Sequence, residues 1–158
     1  MSLKLKFRNM EMTPKGAKAM EAITWLVNHE VRAGLQRGNS KYEDGTDVLD
    51  VAITNEFGTS KIPSRPFMEQ SLERNKDDYH KECEVIFASA IEGKKVDVLL
   101  ELLSEKLKYD IQDEIDTKDF VPNAPYTIAK KGFDFPLYET GLLQKSINNY
   151  VKETEVKK

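Results

Sequence analysis

The chain has 158 residues, 39% of them hydrophobic and 32% charged, which is enough apolar material for one core and rules out disorder throughout. Its 24 Lys and Arg against 27 Asp and Glu leave a net charge of −3, the wrong sign for a protein that lives on phosphate backbones. The single Cys83 cannot form an internal disulfide, and with two histidines it cannot fill a four-ligand zinc site unless several carboxylates join it.

The opening Met-Ser-Leu-Lys-Leu-Lys alternates charge with Leu instead of building a signal-peptide core, and no apolar run approaches the length of a membrane span. A soluble protein, cytosolic at synthesis and without a membrane partner, is expected. From Leu3 to Arg8 the alternation has period 2 and predicts an edge strand. Thr13 before Pro14 reads as an N-cap with proline at the first helical position. The helix that follows should bury Met20, Ile23 and Val27, with Trp25 and Leu26 beside them, and stop near Asn28. Val31, Ala33 and Leu35 then alternate with polar residues as a second strand, ending at Arg37. Gly38 to Gly45 is a polar loop, expected to be mobile, as is Gly132 to Pro136.

Thr46 is placed to cap a short helix over Val48 to Asn55. The stretch from Gly58 to Phe67 carries Pro63 and Pro66 and reads as a stiff, extended loop. Ser64 should cap a long helix from Phe67 to Ile91, with Met68, Leu72, Tyr79, Cys83, Ile86 and Phe87 facing inward. Gly93 ends it, and a further helix starts at Asp97 with Leu99 or Leu100, Leu103, Leu107, Ile111 and Ile115 on its apolar stripe. So short a connection makes the two helices an antiparallel hairpin. Between Glu92 and Asp119 nine acids stand against five bases, so the hairpin's outer face is acidic. Tyr126 to Lys131 is a single helical turn closed by Gly132, another short helix follows Gly141, and Ile147 to Val156 reads as a terminal strand.

These elements predict an α+β fold in one domain, residues 1–158: a small, mostly antiparallel sheet packed against the N-terminal helix and the long hairpin of residues 66–117. The chemistry-bearing residues are scattered. His29-Glu30 lacks the second histidine of the helical zinc-protease pattern, since position 33 is Ala. His80 and Cys83 share a helix face with no further His or Cys to complete a metal site. Gly58-Thr59-Ser60-Lys61 lacks the two-glycine spacing of a phosphate loop and runs into prolines. No nucleophile and base pair or metal set stands out, so an enzyme is not expected, and neither is a cofactor, a small-molecule substrate or more than incidental contact with nucleic acid.

Two loop regions are more distinctive. Asn55-Glu56-Phe57-Gly58-Thr59 leads into Ile62-Pro63-Ser64-Arg65-Pro66-Phe67, and downstream Thr127-Ile128-Ala129-Lys130-Lys131-Gly132 precedes Glu139-Thr140-Gly141-Leu142-Leu143-Gln144-Lys145-Ser146-Ile147. In this order they resemble the paired motifs of phage virion-morphogenesis proteins, the tail-completion, neck or minor tail components of long-tailed phages and prophages. The resemblance covers residues 31–151. Glu139 stands where that family usually has Asp, and Lys130 where it often has Arg, which keeps charge but changes reach and fork geometry.

The resemblance implies a non-enzymatic structural protein that acts at the head-to-tail junction or tail end, first in the bacterial host cytoplasm and then in the virion. Its partners would be other head, connector or tail proteins and further copies of itself, closing a ring. The residues it points to as an assembly interface are Asn55, Glu56, Phe57, Gly58, Ile62, Arg65, Phe67, Lys130, Lys131, Thr140 and Gly141. In that role Arg65 would present an exposed donor fork, so that Arg65→Ala leaves the thermal midpoint unchanged while blocking incorporation into particles. Phe57, Ile62 and Phe67 can instead be core plugs beneath the loop, a reading as good as the interface for the two phenylalanines, and Lys130 and Lys131 read first as solvated lysines. The alternative to a virion role is a small cytosolic adaptor that binds a basic partner through the acidic hairpin.

Overall fold

A computed structural model describes residues 12–154; the strand expected from Leu3 to Arg8 lies outside them. The architecture is α+β. Helix α1 (Pro14–Val27) leads into strand β1 (His29–Gly34), followed by α2 (Val48–Phe57), α3 (Phe67–Ile91), α4 (Asp97–Asp116), α5 (Pro125–Lys131), α6 (Leu142–Lys145) and β2 (Asn148–Glu153). The Thr13 hydroxyl caps α1 by accepting the Gly16 N–H at 3.1 Å, and Pro14 occupies the first turn. β1 and β2 pair antiparallel, Val31 opposite Val151 and Arg32 opposite Tyr150. β1 leaves the sheet after Gly34, and Arg37 turns to Asp50, its guanidinium donating to both carboxylate oxygens at 2.7 and 3.2 Å.

α3 and α4 form the expected hairpin. Arg74 bonds Glu114, and Lys106 lies 5.6 Å from the centre of the Tyr79 ring, so residues later on α3 meet residues earlier on α4. The turn between them is pressed against α1: Gly93 has φ 75°, and a Cβ there would sit 2.9 Å from the Lys18 Cβ. Among the described residues no helix is long and apolar enough to cross a membrane.

Among the described residues the interior falls into two apolar clusters. One unites Val48, Ala52, Phe67, Ile111, Ile115, Leu143 and Ile147 at the base of the hairpin. The other unites Tyr79, Ile86, Ala90, Val96, Leu100 and Leu103 towards its tip, covered by Ile23, Trp25 and Leu26 of α1 and by Val31 and Val151 of the sheet. Polar side chains occupy the junction. The Arg74 guanidinium grips the buried Glu114 carboxylate at 2.9 and 3.0 Å, Lys106 donates to Asp110 at 3.0 Å, and the Asn149 amide donates to the Ser104 hydroxyl at 2.8 Å. Burial, and then the Asp110 carboxylate, raise the Tyr79 phenol well above its ordinary pKa.

Several expectations need correction. Met20 and Val27 are exposed, and the inward face of α1 is Ala22, Ile23, Trp25 and Leu26, because α1 lies across the hairpin tip and Met20 and Val27 fall to the side of the stripe it turns inward. Leu72, Cys83 and Phe87 are also exposed, while Phe67, Ser71, Tyr79, Ile86 and Ala90 are buried. Leu72 and Phe87 each follow a buried residue by one position, which on a helix is about 100° of rotation and carries them off a narrow stripe. The cap of α2 is Asp47, not Thr46. Its carboxylate accepts the N–H groups of Leu49 at 2.9 Å and Gly38 at 2.8 Å, one on each oxygen, and these bonds hold its pKa below the usual value.

Candidate functional site

The loop after α2 is folded back onto the helix that precedes it. Ile62 C=O accepts from Thr59 N–H at 2.8 Å, the Thr59 hydroxyl accepts from Ile62 N–H at 3.0 Å, and Asn55 C=O accepts from Arg65 N–H at 2.6 Å. Gly58, at φ 71°, is where the chain reverses, and a Cβ there would stand 2.8 Å from Ser64 N and 3.0 Å from Ile62 O. Gly58→Ala combines left-handed strain with a backbone clash and is expected to cost roughly 1–3 kcal/mol, read as a lower urea midpoint. A midpoint equal to wild type would mean that the loop opens at no cost.

Ser64 does not cap α3. Its hydroxyl donates to Glu56 C=O at 2.7 Å, and the Glu56 carboxylate takes the cap role, accepting from Met68 and Glu69 N–H at 3.0 Å each. A carboxylate at the positive end of a 25-residue helix is better matched than a hydroxyl. Glu56 therefore holds two elements together.

Arg65 is 5% exposed. Its Nε donates to Val121 C=O at 2.8 Å, one terminal nitrogen to Pro122 C=O at 3.0 Å, and the other to the Asn55 side-chain oxygen at 3.1 Å. The expected exposed fork is an internal tether. The extended chain around Pro122 and Pro125 offers adjacent carbonyls that no helix takes up, and a planar guanidinium reaches both at once. Burial lowers the Arg65 pKa from its ordinary value, opposed by Asp134. Phe67 is likewise inside, fully buried among Val48, Ile111 and Ile115, whereas Phe57 is 77% exposed and Ile62 lies on the loop surface. The three apolar residues thus divide: one is a plug and two are not.

The downstream motif faces this loop. Asn123 donates to the Asp134 carboxylate through its backbone and side-chain nitrogens, both at 3.0 Å, which closes the segment containing α5. Lys131 donates to Phe135 C=O at 2.8 Å and sits 5.1 Å from the centre of the Phe133 ring, and burial lowers its pKa. Lys130 is exposed. The Thr140 hydroxyl accepts the Leu142 N–H at 3.3 Å to begin α6, and Gly141 is buried under the Tyr138 ring.

Together these segments enclose an open cleft of about 330 Å³, with Asn55, Ile62, Arg65, Asn123, Lys131 and Glu139 on its walls. Motif residues up to 84 positions apart in number, from Asn55 to Glu139, line one site. Neither protein-family models, nor curated proteins, nor solved structures yield a match to this chain. The reading of the site therefore rests on its geometry. Arg65 and Lys131 already serve the fold with their donors, so the cleft is a braced wall. Sequence reasoning passed over Tyr42, which also lines it; burial, then Glu139 and Asp44, raise its phenol pKa. An aromatic residue in an otherwise polar loop was the available signal.

Elsewhere, His29 stacks on Trp25 with ring centres 3.8 Å apart, and its Nδ1 lies 2.7 Å from Trp25 C=O. His80 and Cys83 are both exposed on α3. Among the described residues no group of three or more His, Cys, Asp or Glu could hold a metal ion.

Proposed function

We propose that the protein is a non-enzymatic structural component of a phage or prophage virion, acting at the head-to-tail junction or tail end through contacts with neighbouring virion proteins. The observation that supports this reading is the convergence of the separated motif segments on one braced cleft, with large apolar side chains of the same segments left in solvent. Phe57 is 77% exposed and Tyr126 81%, with Val121 at 51% on the strand of chain that Arg65 holds. A rigid frame carrying exposed aromatic residues suits a surface that is covered on assembly. In a ring such contacts are heterologous, each copy offering one surface to a different surface of the next.

Phe57→Ser with Tyr126→Ser tests the reading. The pair is expected to leave the melting curve within about 2 °C of wild type, since surface substitutions cost little, and to abolish complementation of a phage deleted for its own copy. Normal particles carrying the double variant would overturn the assembly role. The adaptor reading draws on the exposed acids of α4 and predicts neighbouring genes unrelated to portal, capsid and tail proteins.

A further inference from the structure

We infer that β1 is a self-pairing edge, on which two copies of the chain join around a two-fold axis at Val31 to make a four-stranded antiparallel sheet. This goes beyond the virion role and does not depend on it. Among the described residues the sheet has two strands, so within them each strand has one open side. Thr154 N–H donates to Asn28 C=O at 2.7 Å, which sets the alternation of the ladder: Asn28, Glu30 and Arg32 point their backbone groups at β2. His29, Val31 and Ala33 therefore point theirs the other way. Among the described residues no group takes up the N–H or C=O of Val31 or Ala33. An open groove of about 380 Å³ lies against residues 31–36 and Tyr150.

Charge complementarity selects a second copy as the occupant. In an antiparallel pairing centred on Val31, Val31 faces its own counterpart, His29 faces Ala33, and Glu30 faces Arg32. All three positions with outward backbone groups then meet positions of the same kind, so the bonds are in register. Glu30 and Arg32 lie on the same face of the strand, already paired with each other within the chain. Across the axis each meets the opposite charge once more, two pairs in all, which is the favourable cross-strand arrangement. The slip of one residue to either side would place outward-facing groups against inward-facing ones. A pairing this short covers less surface than a standard interface, so the dimer is reversible and its population rises with concentration.

Charge variants decide the matter. Light scattering across a dilution series is expected to show wild type passing from two copies to one. Arg32→Glu puts four acids at the seam and Glu30→Arg four bases, so each variant alone should stay monomeric, with a wild-type circular dichroism spectrum to show that it is folded. Mixed in equal amounts, the two variants carry only opposite charges across the seam, and the two-copy species should return. Wild type that is monomeric at every concentration overturns the inference, as happens if another protein's strand is the natural occupant of the edge. Dimeric single variants, or a mixture that stays monomeric, overturn it equally.

Discussion

Replacing Arg65 by Ala is expected to lower the thermal midpoint by roughly 5–15 °C, the equivalent of about 2–4 kcal/mol in a chain of this size. The side chain makes three hydrogen bonds from a buried, charged group, to Asn55, Val121 and Pro122, and bonds of that type contribute about 1.5–3 kcal/mol each before relaxation. The effect stays below their sum because Val121 and Pro122 are exposed residues, whose carbonyls can turn to water once the guanidinium is gone. Arg65→Lys should recover a minor part of the loss, since one ammonium cannot span both carbonyls and Asn55 in the plane that the guanidinium fills. Scanning calorimetry of the two variants gives the answer. An unchanged midpoint for the Ala variant would mean that the tether is idle and that the cleft wall stands without it.

The Arg74 and Glu114 pair should respond asymmetrically. The Glu114 side chain is 1% exposed and that of Arg74 54%. Arg74→Ala strands a carboxylate in the interior, a loss of roughly 2–4 kcal/mol, below the full cost of a broken buried pair because water can approach from the Arg74 side. Glu114→Met removes the buried charge and leaves a guanidinium that is already half in solvent, so its cost is expected to stay under about 1 kcal/mol. Urea unfolding of both variants reads the difference directly. Equal losses would show that the pair acts as a single latch, with neither partner's burial mattering.

Local punctuation made much of the fold legible. Pro14 after Thr13, Gly93 after an apolar stripe and Gly132 after Lys131 each mark a boundary through backbone chemistry that needs no distant partner, and the helix from Phe67 to Ile91 follows from it. What escaped depends on partners remote in sequence. Glu56 caps a helix whose first free N–H groups lie 12 and 13 residues on, and Arg65 is buried by carbonyls 56 and 57 residues away. Nothing at either residue signals such a partner. The phase of α3 was misread for a related reason: Leu72 and Phe87 are as apolar as the residues that are buried, and only the placement of α4 and α1 selects between neighbouring stripes. In the candidate site the residue types were visible in the chain, but their division into buried braces and exposed knobs was not.

The two apolar clusters differ in the length of chain each must close. The tip cluster draws its buried members from Tyr79 to Leu103, a contiguous piece of hairpin whose contacts are mostly local. The base cluster must bring Val48 and Ala52 to Leu143 and Ile147, so the entropy of loop closure falls almost wholly on it. Contacts of low sequence separation form soonest, which makes the hairpin tip the natural nucleus of folding. As the chain leaves the ribosome, the tip has all of its buried members before the residues that complete the cleft have been made.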